Sequence, residues 1–223
     1  MSNAEYLSPS RYVDSDNPDI VRFAKQAVAG ITGEKPRALA LYRAVRDGIA
    51  YNPYLDYSDP GVFRASDVLH AKQGFCIGKA ALLAACARAI GIPARPGYAD
   101  VRNHITSKKL RELVESDVFA WHSYTELFID GKWVKCTPAF DAALCERAKL
   151  APLEFDGEHD SLFQPYDPSG RDFMEYLEDR GAYADVPVEI IWPEFQRLYP
   201  KLVAHGQASG DFKADVAEAT KGK

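Results

Sequence analysis

No apolar run in the 223-residue sequence reaches the roughly 18 residues of a membrane span. A membrane partner is therefore not expected. Basic charge is also short: 27 Lys and Arg stand against 32 Asp and Glu, a formal net charge of −5. Nonspecific nucleic-acid binding needs a basic footprint, so no nucleic-acid partner is expected either. The first 19 positions have neither the basic opening nor the apolar core of a secretory signal. Cysteine is sparse. Cys76, Cys86, Cys136 and Cys145 lack the density of a disulfide scaffold, so reduced thiols and a cytoplasmic location are expected. Their separations of 10, 50 and 9 positions do not match zinc knuckles. No calcium-loop pattern is present. Neither a metal nor a cofactor is expected.

What is present is globular chemistry. A hydrophobic share of 47% with 26% charged residues excludes a disordered or collagen-like chain. The length suits one domain over 1–203, with 204–223 as a flexible tail rich in Gly, Ala and Lys. Asn17-Pro18-Asp19 reads as a helix start, with Asn17 as cap. A second helix is expected from Pro36 to about Ile49. A third begins at Cys76 and stops at Gly91. Pro93 to Val101 reads as a strand, and Thr106 to Glu115 as a short helix capped by threonine. Val118 to Cys136 is the clearest β signal, two runs flanking the hairpin turn Asp130-Gly131. Helices are expected after Asp141, near Phe173 to Asp179, and from Val188 to Tyr199. Helices first, then strands, then helices indicate an α+β chain.

Two residues carry candidate chemistry. Cys76 starts a helix after the turn Gln73-Gly74-Phe75. Helix N-terminal N–H groups stabilise a thiolate and can hold an oxyanion. The competing reading is a small buried apolar residue. Cys86, Cys136 and Cys145 read as structural. A thiol nucleophile wants a histidine base and a third group to orient it. His122 lies in the first hairpin strand, on one face with Tyr124, Glu126 and Phe128. The alternative is a half-buried strand histidine. His104 is the rival base, from a loop.

The turn at Asp130-Gly131 sets a register. Ile129 pairs with Lys132, Phe128 with Trp133, Glu126 with Lys135, and Tyr124 with Thr137. His122 then falls opposite Ala139, with Thr137 and Asp141 as diagonal neighbours if Pro138 does not break the ladder. Asp141 is the better orienting group, because a carboxylate stabilises imidazolium and a hydroxyl does so weakly.

The segments GFCIGKAALLAACARAIGIPAR (74–95) and WHSYTELFIDGKWVKCTP (121–138) together resemble the transglutaminase-like cysteine enzyme core, over about 36–141. The resemblance implies a papain-like α+β fold, with N-terminal helices, the cysteine at a helix start, and an antiparallel sheet. It implies a Cys-His-acid triad in which Cys76 and His122 carry over directly. The family usually has Asp-Pro after the tryptophan strand, where this sequence has Thr137-Pro138, so it looks like a bacterial subgroup with an altered acid position. Three options stay open. Asp141 supplies the acid, Thr137 orients His122, or the triad is incomplete; Asp141 is preferred. Gln73 is a candidate oxyanion helper. Trp121, Tyr124 and Trp133 are candidates for lining the substrate. The implied function is acyl cleavage or transfer at amide bonds of a peptide or protein. The alternative is a catalytically weakened module that binds a peptide or protein partner.

Overall fold

The computed structural model describes residues 3–103, 107–163, 170, 174–205 and 212–221. Helices come first. α1 (Pro18–Ala27) starts as expected, with the Asn17 side chain accepting the N–H of Asp19. α2 (Glu34–Gly48) buries Leu41, Tyr42 and Val45. A two-residue strand β1 (Ala50–Tyr51) follows, then α3 (Ala65–Ala71) and β2 (Gln73–Gly74), which pairs in parallel with β1.

The central element is α4 (Cys76–Ala89), buried on nearly every side. A helix apolar all round belongs inside. It packs on β3 (Ala94–Asn103) and β4 (Val118–Ile129), with α1, α2 and α3 around its other faces. Its alanines allow close approach. A Cβ on Gly78 would lie 2.5 Å from the Val62 carbonyl oxygen, so only glycine fits there without a shift. Lys79 is buried completely. Its ammonium donates to the carbonyls of Arg46 (2.9 Å) and Ile49 (2.6 Å), satisfying acceptors at the end of α2.

The larger sheet has the order β5-β4-β3-β6 and is antiparallel throughout. β5 (Lys132–Cys136) pairs with β4 in the register expected for the hairpin: Ile129 with Lys132, Phe128 with Trp133, Glu126 with Lys135. The ladder ends at Thr125–Cys136, before Thr137 and Pro138. α5 (Lys108–Val114) is capped by Ser107, whose side chain accepts the N–H of Leu110; Thr106 lies outside the described residues.

Two expectations change. The stretch near 173–179 is not helical: Met174–Ala182 form β6, paired with β3. Met174 and Tyr176 turn inward while Glu175, Glu178 and Asp179 face out, a charged pattern that suits an edge strand. The tail region holds a helix, α9 (Phe212–Lys221), with Phe212 and Val216 buried. Phe212 packs on Tyr51 and Tyr54, with ring centroids 5.6 and 5.7 Å apart. The remaining helices are α6 (Ala142–Ala148), α7 (Val188–Leu198) and α8 (Pro200–His205). Among the described residues no helix is long and apolar enough to cross a membrane.

Candidate active site

Cys76 and His122 line one apolar cavity of about 70 Å³. Its walls include Tyr51, Tyr57, Phe140, Phe195 and Phe212. The space is well below the few hundred Å³ of a typical ligand pocket, and α9 supplies part of the wall through Phe212.

Each side chain is placed by a local device. Cys76 stands at the first turn of α4, where backbone N–H groups are free of intrahelical partners. The N–H groups of Ser123, Ile77 and Cys76 itself point at the thiol. Cys76 also keeps some accessible surface, whereas Cys86, Cys136 and Cys145 are buried. His122 is placed by an irregularity in β4. The β3–β4 register shifts between Ala99 and Val101, so that Ala99 faces His122 and Val101 faces Phe119. Trp121, at the bulge, has φ of 61°. A bulky residue there is uncommon and needs support from its surroundings. Asp100 supplies it by accepting the Trp121 N–H at 3.0 Å, and Arg180 holds Asp100 with two bonds of 2.5 and 2.7 Å. The Arg180 guanidinium also lies over the Trp121 ring, and the indole N–H donates to Glu194 at 3.1 Å. Sequence reasoning missed Asp100 and Arg180. They act through the fold, far apart along the chain, and no local motif marks them.

The electrostatics reverse one expectation. A helix start should lower the Cys76 pKa, but burial dominates and pushes the thiol up to about 11 despite three N–H groups that favour the thiolate. Burial likewise pulls His122 down to about 4. With neither charged near neutral pH, the resting pair is a thiol and a neutral imidazole. Among the described residues lining the cavity, the titratable groups are Cys76, His122 and the tyrosines 51, 57 and 199.

Asp141, expected as the orienting acid, has other partners in the structure. Its Oδ1 accepts the N–H of Leu144 at 3.0 Å, capping α6, and pairs with the Lys213 ammonium at 2.9 Å. Its Oδ2 accepts the N–H of Tyr51 at 2.8 Å. It is absent from the cavity wall, and His122 feels no charge from it. The β5 ladder stops before Pro138, so the diagonal pairing that would carry Asp141 to His122 is lost. Thr137 is buried, and among the described residues its hydroxyl has no hydrogen-bond partner.

The other candidates divide. Trp121 lines the cavity. Tyr124 does not: it is buried further along β4, with its hydroxyl 3.4 Å from Asp179 and the Lys135 ammonium over its ring. Trp133 does not line the cavity either: the Arg95 guanidinium lies over its ring, and Tyr6 and Phe128 meet it edge-on. Gln73 is exposed on β2, its carboxamide accepting from Asn52 at 3.1 Å. His104 lies outside the described residues. Among them, no group of three His, Cys, Asp or Glu side chains could hold a metal ion.

Comparison with known proteins gives a family. The sequence model of the core of the transglutaminase-like superfamily matches residues 21–138, just over half of the chain. No curated protein matches. One similar solved structure is called "a Putative Cysteine Protease from Cytophaga hutchinsonii"; it shares 27% identity at a TM-score of 0.44, over 60% of this chain and 40% of that one. Another, "a putative protease from Parabacteroides distasonis", shares 16% at a TM-score of 0.41, over 60% of this chain and 26% of that one. The chain thus spans less than half the length of either. The family assignment rests on the 21–138 match.

Proposed function

This chain belongs to the transglutaminase-like superfamily, and from that membership we propose that it is a cysteine enzyme cleaving or transferring acyl groups at amide bonds of a peptide or protein. The observation that carries the reading is the shared cavity. Cys76, alone among the four cysteines, is both accessible and beside a histidine. Cys76 is the nucleophile and His122 the base.

Because both groups rest neutral, attack and proton transfer go together. The Cys76 sulfur forms a bond to the substrate carbonyl carbon as its proton passes to His122. The carbonyl π electrons move to oxygen, and the N–H of Cys76 at the helix start donates to that oxyanion. His122 then gives the proton to the leaving amine as the C–N bond breaks, leaving a thioester on Cys76. Water resolves it to an acid; an added amine resolves it to a new amide. Low charge in the resting pair makes water exclusion favourable to the step, since a dry cavity strengthens the N–H contacts.

A second reading, a peptide-binding module with weakened chemistry, draws on one observation: the cavity wall holds no carboxylate among the described residues. The deciding experiment screens amide substrates with and without an added amine, using the wild type, Cys76→Ala and His122→Ala. Product from the wild type alone is expected. Product from Cys76→Ala would overturn the assignment. A silent wild type that still binds the same peptides would favour the module.

A further inference from the structure

The cavity that holds Cys76 and His122 is closed in part by α9. That helix has only 10 residues, fewer than the roughly 12–15 at which a helix is marginally stable alone in water, so its helicity depends on what it docks against. Its apolar anchors are Phe212 and Val216, one turn apart and both buried. Phe212 is a wall of the cavity and meets Tyr51, another wall residue, edge-on. The charged residues between the anchors tie the helix to its surroundings. Lys213 pairs at 2.9 Å with Asp141, the N-cap of α6. Asp215 accepts the Tyr54 hydroxyl at 2.7 Å, and that hydroxyl lies 3.2 Å from the hydroxyl of Ser107, the N-cap of α5. α9 thus packs against both α6 and α5, with its first residue closing the site. These ties differ from core packing. They are polar and partly exposed, so salt and water compete for them. The space that Phe212 helps to enclose, about 70 Å³, is too small for a peptide that must bring a carbonyl to the Cys76 sulfur.

We propose that α9 is an autoinhibitory latch: docked, it shuts Cys76 away behind Phe212, and undocked, it opens that wall to the substrate. The proposal rests on the reading of Cys76 as nucleophile and concerns the control of that site. Undocking breaks no covalent bond. It exposes Phe212 and Val216, releases the Lys213 and Asp215 ties, and lets a short helix fray, which is a local opening rather than unfolding of the core. A peptide that offers an apolar side chain to the Tyr51 seat competes with Phe212 directly, so substrate itself shifts the chain toward the open state.

The test uses the full chain with Lys213→Glu, Asp215→Ala and Phe212→Ala. Lys213 and Asp215 do not line the cavity, and Lys213→Glu sets a like charge against Asp141. Hydrogen exchange over 212–221 reads docking. Iodoacetamide labelling, followed by peptide mass spectrometry, reads access to Cys76, with the buried Cys86, Cys136 and Cys145 as internal controls. In the wild type, α9 should exchange at least about tenfold faster than α4, the mark of local opening. Lys213→Glu and Asp215→Ala should each speed both α9 exchange and Cys76 labelling by about threefold, the worth of one partly exposed polar contact. Phe212→Ala should exceed both, while the three control cysteines keep their wild-type rates. Cys76 labelling that stays unchanged in all three variants would overturn the proposal. So would α9 exchange no faster than that of α4, or an acceleration of all four cysteines together, which marks global unfolding. Amide turnover in the same variants is read separately. Faster Cys76 labelling with no turnover in any variant would keep α9 as the gate over Cys76 and remove the enzyme reading alone.

Discussion

Asp141 offers the sharpest contrast between a structural and a catalytic carboxylate. Replacing it with alanine removes three interactions at once. The cap on α6 is worth about 1 kcal/mol. The Tyr51 N–H, left without its acceptor, costs about 1–3 kcal/mol. The Lys213 pair adds less than about 1 kcal/mol, because Lys213 keeps partial exposure. One carboxylate serves all three, so the combined loss is about 2–4 kcal/mol. For a chain of this size that lowers Tm by roughly 5–15 °C. Asp141→Asn should lose somewhat less, since its one amide oxygen can keep either the Leu144 or the Tyr51 N–H contact while its NH2 group faces the other. The pH dependence has a definite sign. Burial opposes the Asp141 charge, but the Tyr51 N–H, the Lys213 ammonium and the Leu144 N–H outweigh it and hold the carboxyl below its usual range. A lowered folded-state value stabilises the fold above the unfolded pKa of about 4. The gap between wild type and Asp141→Ala should therefore be full at neutral pH and close as the pH falls through the folded value. Urea and thermal melts from pH 2.5 to pH 7 measure this. Cys76 alkylation, taken well below Tm, measures the catalytic alternative. If Asp141→Ala left stability within about 0.5 kcal/mol but reshaped the alkylation profile, Asp141 would be the orienting acid and the argument above would fail.

Lys79→Met should flatten a pH trend. Burial pulls the Lys79 ammonium down to about 7, so the unfolded chain binds more protons between there and about 10.4, and wild-type stability should rise with pH across that window; a slope that persists in Lys79→Met would show another group responsible. Phe212→Ala should open the cavity wall and speed Cys76 alkylation severalfold with little change at Cys86, Cys136 and Cys145. An unchanged rate would mean that α9 does not restrict access. Gly97→Ala should destabilise the sheet by about 1–3 kcal/mol, because the added Cβ would strike the Tyr124 ring across the β3–β4 pair. Melting checks it, and a neutral result would mean that the ring moves freely.

Local signals were read well where one short stretch decides the structure. The Asn17 cap, the Cys76 helix and the hairpin register all depend on neighbours within a few residues, and all three match. The misreadings arise where distant segments decide. The stretch 174–182 became a strand because the exposed side of β3 needed a partner, and its helix-compatible residues yielded to that pairing. Phe212 packs because Tyr51 and Tyr54 offer it an aromatic seat some 160 residues earlier in the chain. The position expected for Asp141 differs for a related reason. The register argument was right up to Cys136, and it was extended past a proline that cannot continue a ladder.

The same comparison explains why the electrostatics of Cys76 could not be read from its position alone. A helix start supplies N–H groups, and the sequence marks that start clearly. The opposing term is the number of apolar groups closing over the thiol, which come from β4, α7, α9 and the turn after β1. Removing a charge from water near so many aromatic rings costs more than three N–H contacts return, hence the thiol near 11 and the imidazole near 4. Both shifts have one cause, so both should relax together when water enters. Opening the wall at Phe212 should therefore lower the Cys76 value and raise that of His122, bringing the two toward each other. Solvent access to the cavity thus sets both values through one physical cause.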